Sequence, residues 1–260
     1  MKIPFRIVDV FTERPLAGNQ LCVVPEPREL DDATMQALAI EIGFSESTFV
    51  TEAGGDRYAM RIFTPDRELP FAGHPTLGTG FVLVSEGRVT SPATQVVRAG
   101  EIPVEVDAEA GFAWMTQLAP EFGAEFDDVD LLARATGLLP EDMHPDLPAQ
   151  VVSTGLPPLI VPVRDLATLF AVHDGGVTAR FFGPTESIRE DAATGSAAGP
   201  LGAYLAERGL AGMPGTVVIA QGEQIGRPSF LHVEVTRQGT GWRVRVGGGV
   251  RVIGSGTFRI

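Results

Sequence analysis

The sequence predicts an α+β fold of two pseudo-symmetric halves, each a curved, mostly antiparallel sheet wrapped around a central buried helix. Short β-branched segments outnumber helical ones, a spaced set of residues recurs in the second half, and two glycine-containing stretches are almost free of charge. We divide the chain into residues 1–116 and 117–260. The acidic segment 120–130 is expected to form a solvated connection between them.

Short segments rich in β-branched residues, mostly bounded by Gly, Pro or Asp, predict the strands. These segments are residues 5–11, 21–24, 47–50, 58–63, 151–154, 159–163 and 231–235. Helical segments are fewer. One runs from a capping Asp31 to a stop at Gly43, and a second covers residues 128–136 before Gly137.

The internal repeat is the main evidence for two halves. Residues recur 122 positions later in the same order: Glu68, Gly73, Gly80, Leu83 and Gly87 as Glu190, Gly195, Gly202, Leu205 and Gly209. Upstream, the spacing is 119: Arg61, Phe63 and Pro65 recur as Arg180, Phe182 and Pro184. Single glycine matches arise by chance, so the shared order is what favours duplication.

The stretches after Gly73 and Gly195 predict the two central helices. Neither stretch has a charged residue until its last turn, and a helix that is apolar on all sides must be buried. Pro75 suits a first turn, and Gly87 and Gly209 suit the C-terminal ends. The first N–H groups of such helices attract anions. If the halves face each other, both starts can hold a carboxylate or an enolate-like oxygen in one cleft.

The candidate site residues lie next to these helix starts. They are His74 in the first half and Asp191, Thr194 and Ser196 in the second, although His, Asp and Ser at such positions also serve simply as helix caps. Glu46 is a separate candidate. We expect its carboxylate to lie between Phe44 and Phe49, where partial desolvation favours proton capture by a general base.

Composition excludes several functions. A net charge of −13 over 260 residues, without a basic run, argues against a nucleic-acid partner. No apolar run is long enough for a membrane span or a signal peptide, and the single cysteine, Cys22, cannot form an internal disulfide. We therefore expect a cytoplasmic protein with no membrane partner. His144, His173 and His232 lack zinc-ligand spacing, and the glycine clusters at 247–249 and 254–256 do not match a nucleotide-binding motif, so neither a metal nor a cofactor is expected.

Several longer motifs resemble the phenazine-biosynthesis (PhzF-like) isomerase family. The motifs are residues 8–12 with 15–19, 45–47, 61–65 with 68–78, 153–157, 190–201, and 221–223 with 226–228. The Gly-His-Pro-Thr motif from Gly73 and the Gly-Ser-Ala-Ala motif from Gly195 are highly specific, and the resemblance covers nearly the whole chain. Ala192 stands where the family commonly has Pro.

The resemblance implies a diaminopimelate-epimerase-like fold and a homodimeric, cofactor-independent isomerase of a small carboxylate-bearing substrate. The best-known family reaction isomerises trans-2,3-dihydro-3-hydroxyanthranilate. By the same resemblance Glu46 moves a proton, while His74, Asp191 and Ser196 bind and orient the substrate. Asn19, Gly73, Thr194 and Gly195 are candidate substrate-binding residues; the alternative for Asn19 is a turn residue.

Two alternatives remain open. Epimerases and racemases of the same fold use a pair of cysteines at the two helix starts, and neither start has a cysteine here, which disfavours a two-thiol racemase. A non-catalytic ligand-binding or regulatory protein that keeps the fold is the second alternative, because a fold alone does not confer activity.

Overall fold

A computed structural model describes residues 1–26, 29–164, 177–183 and 190–260. Its helices are α1 (Asp32–Ile42), α2 (Gly73–Ser85), α3 (Val129–Thr136) and α4 (Gly195–Glu207). Its strands are β1 (Lys2–Val10), β2 (Asn19–Val24), β3 (Glu46–Gly54), β4 (Arg57–Phe63), β5 (Glu68–Leu69), β6 (Ala93–Val97), β7 (Gly100–Asp107), β8 (Phe112–Thr116), β9 (Glu121–Phe126), β10 (Ala149–Ser153), β11 (Leu159–Ile160), β12 (Val177–Thr178), β13 (Gly215–Gln221), β14 (Ser229–Gln238) and β15 (Gly241–Arg259).

The large sheet closes on itself like a barrel. Its order is β1-β2-β3-β4-β6-β7-β8-β15, and β15 also pairs with β1; β14, β13 and β12 continue outward from β15. Most pairings are antiparallel, the parallel ones being β2–β3, β4–β6 and β12–β13. A small separate sheet has the order β11-β10-β9. The mixed fold with much sheet is therefore confirmed, whereas the division into two halves stays a prediction.

Helix α2 lies inside the barrel. Its residues from Gly73 to Leu83 are all buried, as the charge-free sequence predicts, and it packs against β1, β2, β7, β8 and β15. Glycines allow this close packing: a Cβ at Gly78 would lie 2.6 Å from the Leu21 side chain. Helix α4 packs against β14, β15 and β10, and it keeps Pro200 inside the helix.

The long strand β15 joins the two parts of the sheet. Its first residues pair with β14 and β8, and nine of its last residues pair with β1, across one register shift. The glycine cluster at 247–249 belongs to this strand, where a Cβ at Gly247 would lie 2.5 Å from the Trp114 ring. These glycines serve packing, since the Trp114 and Phe11 side chains and the Thr12 backbone occupy the space that their own side chains would fill.

Several predicted elements differ in detail from the structure. The acidic segment was expected to be a solvated connection; residues 121–126 are exposed, but they form β9, because their backbone pairs with β10. The strand predicted at 159–163 is limited to β11. Helices α1 and α3 are confirmed, with Gly43 and Gly137 in left-handed conformations at their ends. Gly87 and Gly209 each follow the C-cap residue by one position, with φ of +68° and +64°.

Two sequence features fall outside the described residues, namely Pro184 of the repeat and His173. Within the described ranges, no helix has the length and apolar character needed to cross a membrane.

Candidate active site

The starts of α2 and α4 meet at their first residues. A Cβ on Gly73 would lie 2.5 Å from the backbone carbon of Gly195 and from the backbone nitrogen of Ser196. Only glycine fits there, because the obstacle is backbone rather than a flexible side chain. Each helix start exposes N–H groups that lack intrahelical acceptors and carries the positive end of the helix dipole. The junction therefore favours an anionic ligand group.

Two glutamines hold the start of α4 in place. Gln117 donates from Nε2 to the carbonyl of Gly195 at 2.9 Å, and its Oε1 accepts a 2.6 Å hydrogen bond from Thr154 Oγ1. Gln221 accepts from the backbone N–H of Thr194 and donates to the carbonyl of Asp191. Neither glutamine was predicted as a site residue. Gln221 lies in a family-like motif, whereas no local signal marks Gln117.

Glu46 and His74 are two ionisable side chains that lie close together at this junction. Glu46 is the first residue of β3, and its Oε2 lies 3.5 Å from Nε2 of His74, the second residue of α2. The side chains are only 14% and 3% exposed, respectively. Burial lowers the pKa of His74 to about 3, and a hydrogen bond to the backbone of Gln20 opposes this shift. At neutral pH, Glu46 therefore faces an uncharged imidazole.

The prediction that the Glu46 carboxylate lies against Phe49 is wrong. Side chains alternate between the two faces of a strand, so residues three apart point to opposite sides. Phe49 packs edge-on against Phe63 at 5.7 Å in the cluster under α1. Thr48, which shares a face with Glu46, contacts Thr79 of α2 inside the barrel at 2.8 Å. His74, rather than Phe49, lies next to the Glu46 carboxylate.

Asp191 lies just before α4 and is held through both carboxylate oxygens. Oδ1 accepts from Asn19 Nδ2 at 2.8 Å, and Oδ2 accepts from Thr194 Oγ1 at 2.7 Å. Burial raises the pKa of Asp191 to about 6, although the hydrogen bonds from Thr194 and Asn19 act in the opposite direction. The Asp191 carboxyl therefore ionises at a pH that is only slightly below neutral.

Asn19 connects the two helix starts. It is buried at the first position of β2 and donates from Nδ2 to Asp191 Oδ1 and, at 2.9 Å, to the carbonyl of Ala193. The same nitrogen lies 3.2 Å from His74 Nδ1. Its Oδ1 accepts a hydrogen bond from Ser45, the residue before Glu46. Asn19 thus binds the Asp191 carboxylate directly and contacts His74 and Ser45, which adjoin Glu46.

An ion pair between a partly exposed arginine and a buried carboxylate holds the chain segment that leads into Asn19. Arg227 donates from Nη2 to Asp9 Oδ1 at 2.6 Å and also contacts the carbonyls of Ala17 and Gly18. The fully buried Asp9 accepts the Leu16 N–H through its second oxygen. The sequence motifs contain both charged residues, but nothing in them shows that residues 218 positions apart form a pair.

The structure brings all eight predicted site residues to this junction. Glu46, His74, Asn19, Asp191 and Thr194 form one connected chain of contacts, and Gly73 abuts Gly195 and Ser196. Their roles stay predictions. Cys22 lies in β2 and not at either helix start, and burial raises the pKa of its thiol to about 12.

Comparison with known proteins decides the family. The profile of a family described as phenazine biosynthesis-like protein matches residues 8–174 and 170–254. The chain belongs to this phenazine biosynthesis-like (PhzF) family.

Curated members of the PhzF family are named isomerases. The trans-2,3-dihydro-3-hydroxyanthranilate isomerase of Pseudomonas fluorescens is 37% identical over 277 residues, covering 97% of this chain and 98% of that protein. A PhzF-family crystal structure from Bacillus anthracis is 27% identical, with a TM-score of 0.87 over the full length of both chains. A probable proline racemase from Agrobacterium radiobacter, 13% identical with a TM-score of 0.65 over 99% of this chain and 93% of that one, shares the fold. The chain is thus an enzyme of an isomerase family.

Proposed function

We propose that the protein is a cofactor-independent isomerase that moves a proton between carbon atoms of a small carboxylate-bearing substrate. The observation that carries this proposal is the Glu46–His74 pair, 3.5 Å apart and mostly buried, beside two abutting helix starts. A base with restricted access to water and a site for negative charge are the two groups that such a reaction requires.

Glu46 takes the proton in this scheme. Its carboxylate removes a proton from a carbon next to an unsaturated or carbonyl group, so that the C–H bond breaks and its electrons move into the substrate. The resulting carboxylic acid returns the proton to another carbon, and no oxidant or reductant is consumed. The N–H groups at Gly73 and Gly195 stabilise the oxygen on which charge develops. His74, Asp191 and Ser196 orient the substrate, and Asn19 and Thr194 complete the binding site.

The substrate class follows from the family. The Pseudomonas fluorescens relative carries the name of an isomerase of trans-2,3-dihydro-3-hydroxyanthranilate, and this compound is the first substrate to test. A role in phenazine biosynthesis, a cytoplasmic location and a homodimeric state belong to the same proposal and rest on the family resemblance.

We also propose that the two pseudo-symmetric halves, 1–116 and 117–260, arose by duplication. A matching cluster supports this at each helix start. Arg61 pairs with Glu68 at 2.7 Å and lies 5.1 Å from the centre of the Phe63 ring. Arg180 pairs with Glu190 at 2.7 Å and lies 4.8 Å from the centre of the Phe182 ring. The repeated residues thus make the same contacts twice.

The function is tested by incubating the protein with trans-2,3-dihydro-3-hydroxyanthranilate in deuterated water and following product formation and deuterium incorporation by mass spectrometry. We expect Glu46→Gln to lose at least about 10²-fold in rate, the usual contribution of a positioned general base. Glu52→Gln, on an exposed residue of the same strand, is the matched control and should keep the parental rate. A folded Glu46→Gln protein with unchanged turnover contradicts the assignment of the base. Saturable binding without turnover or label would instead favour a non-catalytic ligand-binding protein.

A further inference from the structure

Phe11 has a backbone conformation that is unusual for a bulky residue. It directly follows β1, its φ is +66°, and its side chain is fully buried. Bulky residues rarely enter this left-handed region, and those that do cluster at functional sites. The Phe11 carbonyl accepts a 2.8 Å hydrogen bond from the N–H of Phe230, and the N–H of Thr12 donates to the Gly249 carbonyl at 3.1 Å. The neighbouring strands therefore hold Phe11 in this conformation.

This conformation directs the Phe11 ring to the start of α4. Val8 and Val10 of β1 lie against α2, because a Cβ at Gly78 would come within 3.1 Å of both side chains. In a regular strand, the next side chain would point to the opposite face. The ring of Phe11 instead reaches Gly195, where a Cβ would lie 2.8 Å from the ring atom Cζ and 3.1 Å from Cε2.

Gly195 lies between this ring and the start of α2. A Cβ on Gly195 would also lie 3.1 Å from Cα of Gly73, and a Cβ on Gly73 would lie 2.5 Å from Cα of Gly195. The ring is limited on another side by β15, because a Cβ at Gly248 would lie 2.4 Å from Cδ1 of Phe11. A continuous row of contacts therefore begins at β15, passes through the ring and Gly195, and ends at Gly73.

We propose that Phe11 is a positioning residue that sets the distance between the starts of α2 and α4. Its ring keeps Gly195 against Gly73, so that the N–H groups of both starts face one ligand. Dense packing transmits a change in the ring to the helix start. The inference rests on the proposed function, because it concerns the same site, and a misplacement of about 1 Å there can cost about 10²-fold in rate. Phe11 itself does not contact the substrate.

Two substitutions with opposite steric effects test this role. Phe11→Leu removes the ring tip and leaves a gap beside Gly195, whereas Gly195→Ala adds a methyl group where the ring tip lies. We expect each single substitution to lower kcat/KM for trans-2,3-dihydro-3-hydroxyanthranilate. The double variant should be about 10-fold more active than the product of the two losses predicts, because the methyl group fills the gap. Losses that simply multiply in the double variant overturn the proposal.

Phe49→Leu is the matched control for the loss of a buried ring. Phe49 is only 3% exposed, but it packs against Phe63 in the cluster under α1. Its effect on kcat/KM should multiply with that of Gly195→Ala, without recovery, because the two sites share no contact. An equal recovery in this control would show a general effect on packing and would overturn the specific role of Phe11.

Proton NMR of the full chain without substrate measures the spacing itself. In the parental protein we expect nuclear Overhauser contacts from the Gly195 Hα atoms to the Phe11 ring and to the Gly73 Hα atoms. The contact between Gly195 and Gly73 should weaken in Phe11→Leu and return in the double variant. Either contact missing from the parental protein overturns the proposal, as does a folded Phe11→Leu protein that keeps the parental Gly195–Gly73 contact.

If Phe11→Leu does not fold, Phe11→Met supplies the same measurement, because a flexible methionine fills irregular gaps without a rigid ring tip. Its Gly195–Gly73 contact should also weaken, and an unchanged contact contradicts the proposal. These spectra need no substrate. They can fail while the isomerase assay succeeds, or succeed while the parental protein shows no turnover, so failure of this inference is distinct from failure of the proposed function.

Discussion

The two helix starts both begin at a buried glycine but differ in their surroundings. The start of α2 carries a buried neutral histidine, with the Glu46 carboxylate reaching it from a neighbouring strand. The start of α4 is surrounded by hydrogen-bonded polar groups from Asp191, Thr194 and two glutamines. In the proposed scheme, the first half supplies the proton-transferring Glu46, while the second half supplies Asp191 and Ser196 for orienting the substrate.

The largest expected effect concerns the ion pair between Arg227 and Asp9, which holds the chain segment leading into Asn19. Arg227→Met leaves the fully buried Asp9 carboxylate without its cation, so we expect the free energy of unfolding to fall by about 3–5 kcal/mol. Urea unfolding measures this change. Arg57→Met, which breaks a half-exposed pair with Glu101, is the control and should cost much less stability, because solvent screens the pair. Equal losses of unfolding free energy in the two variants would show that the Arg227–Asp9 pair does not stabilise the fold more than a surface pair does.

The next largest effect is a difference in activity between alanine substitutions at Gly73 and at Gly195. A methyl group at Gly73 meets backbone atoms at 2.5 Å, whereas one at Gly195 first meets the tip of the Phe11 ring at 2.8 Å. A ring can shift more easily than backbone. We expect Gly73→Ala to reduce kcat/KM by about 10²-fold, as a displacement of about 1 Å can, and Gly195→Ala to reduce it less.

Gly54→Ala is the control for the glycine pair, since a Cβ at Gly54 meets nothing within 4 Å. Its kcat/KM should equal that of the parental enzyme. The reverse ranking of Gly73→Ala and Gly195→Ala would contradict the packing described at the junction.

Opposite pH dependences of stability should distinguish the two starts. The pKa of folded His74, about 3, lies below the usual 6.5, so this residue makes the protein more stable as pH rises from 3 to 6.5. The pKa of folded Asp191, about 6, lies above the usual 3.8, so its contribution to stability falls as pH rises from about 4 to 6.

Urea unfolding of His74→Gln and Asp191→Asn at pH 4 and pH 7 measures these contributions. Relative to the parental protein, on going from pH 4 to pH 7, His74→Gln should lose about 3 kcal/mol of stability and Asp191→Asn should gain about 2 kcal/mol. Changes of the same sign in both variants would show that at least one of the two groups does not ionise as described.

The smallest effect tests the network around α4. Thr154→Val removes the hydrogen bond to Gln117 Oε1 and leaves that buried oxygen unsatisfied, which should cost about 1 kcal/mol of stability. Thermal unfolding detects the change. If the start of α4 orients the substrate as proposed, KM should rise while kcat stays nearly constant. A fall in kcat alone would place Thr154 in proton transfer instead.

Local signals made part of the fold predictable. Asp31 caps α1 through a side-chain bond to the Thr34 N–H, and Gly43 ends the helix, so both boundaries are visible in the sequence. The charge-free segments after Gly73 and Gly195 likewise predicted buried helices. Strand β15 was missed because its glycines lower strand propensity; they are needed for side chains from Phe11 and Trp114, which are far away in sequence.

Only the site residues that lie in recognisable sequence motifs could be predicted. Glu46, His74 and Asp191 were candidates from their sequence positions, the resemblance to a family supplied their roles, and the structure brings them together. The position of Glu46 relative to Phe49 was wrong because strand register decides which face a side chain occupies. The bonds of Gln117 to Gly195 and of Asp9 to Arg227 join residues 78 and 218 positions apart, so no local pattern reports them.

The most direct test of the account follows one ligand at both helix starts. The Glu46→Gln variant is titrated with trans-2,3-dihydro-3-hydroxyanthranilate while NMR records the backbone amide signals of Gly73 and Ser196. We predict that both amides shift along a single binding curve, because the two starts hold the same molecule. Saturable binding that moves only one of the two amides, or neither, would contradict the claim that the starts of α2 and α4 form one site.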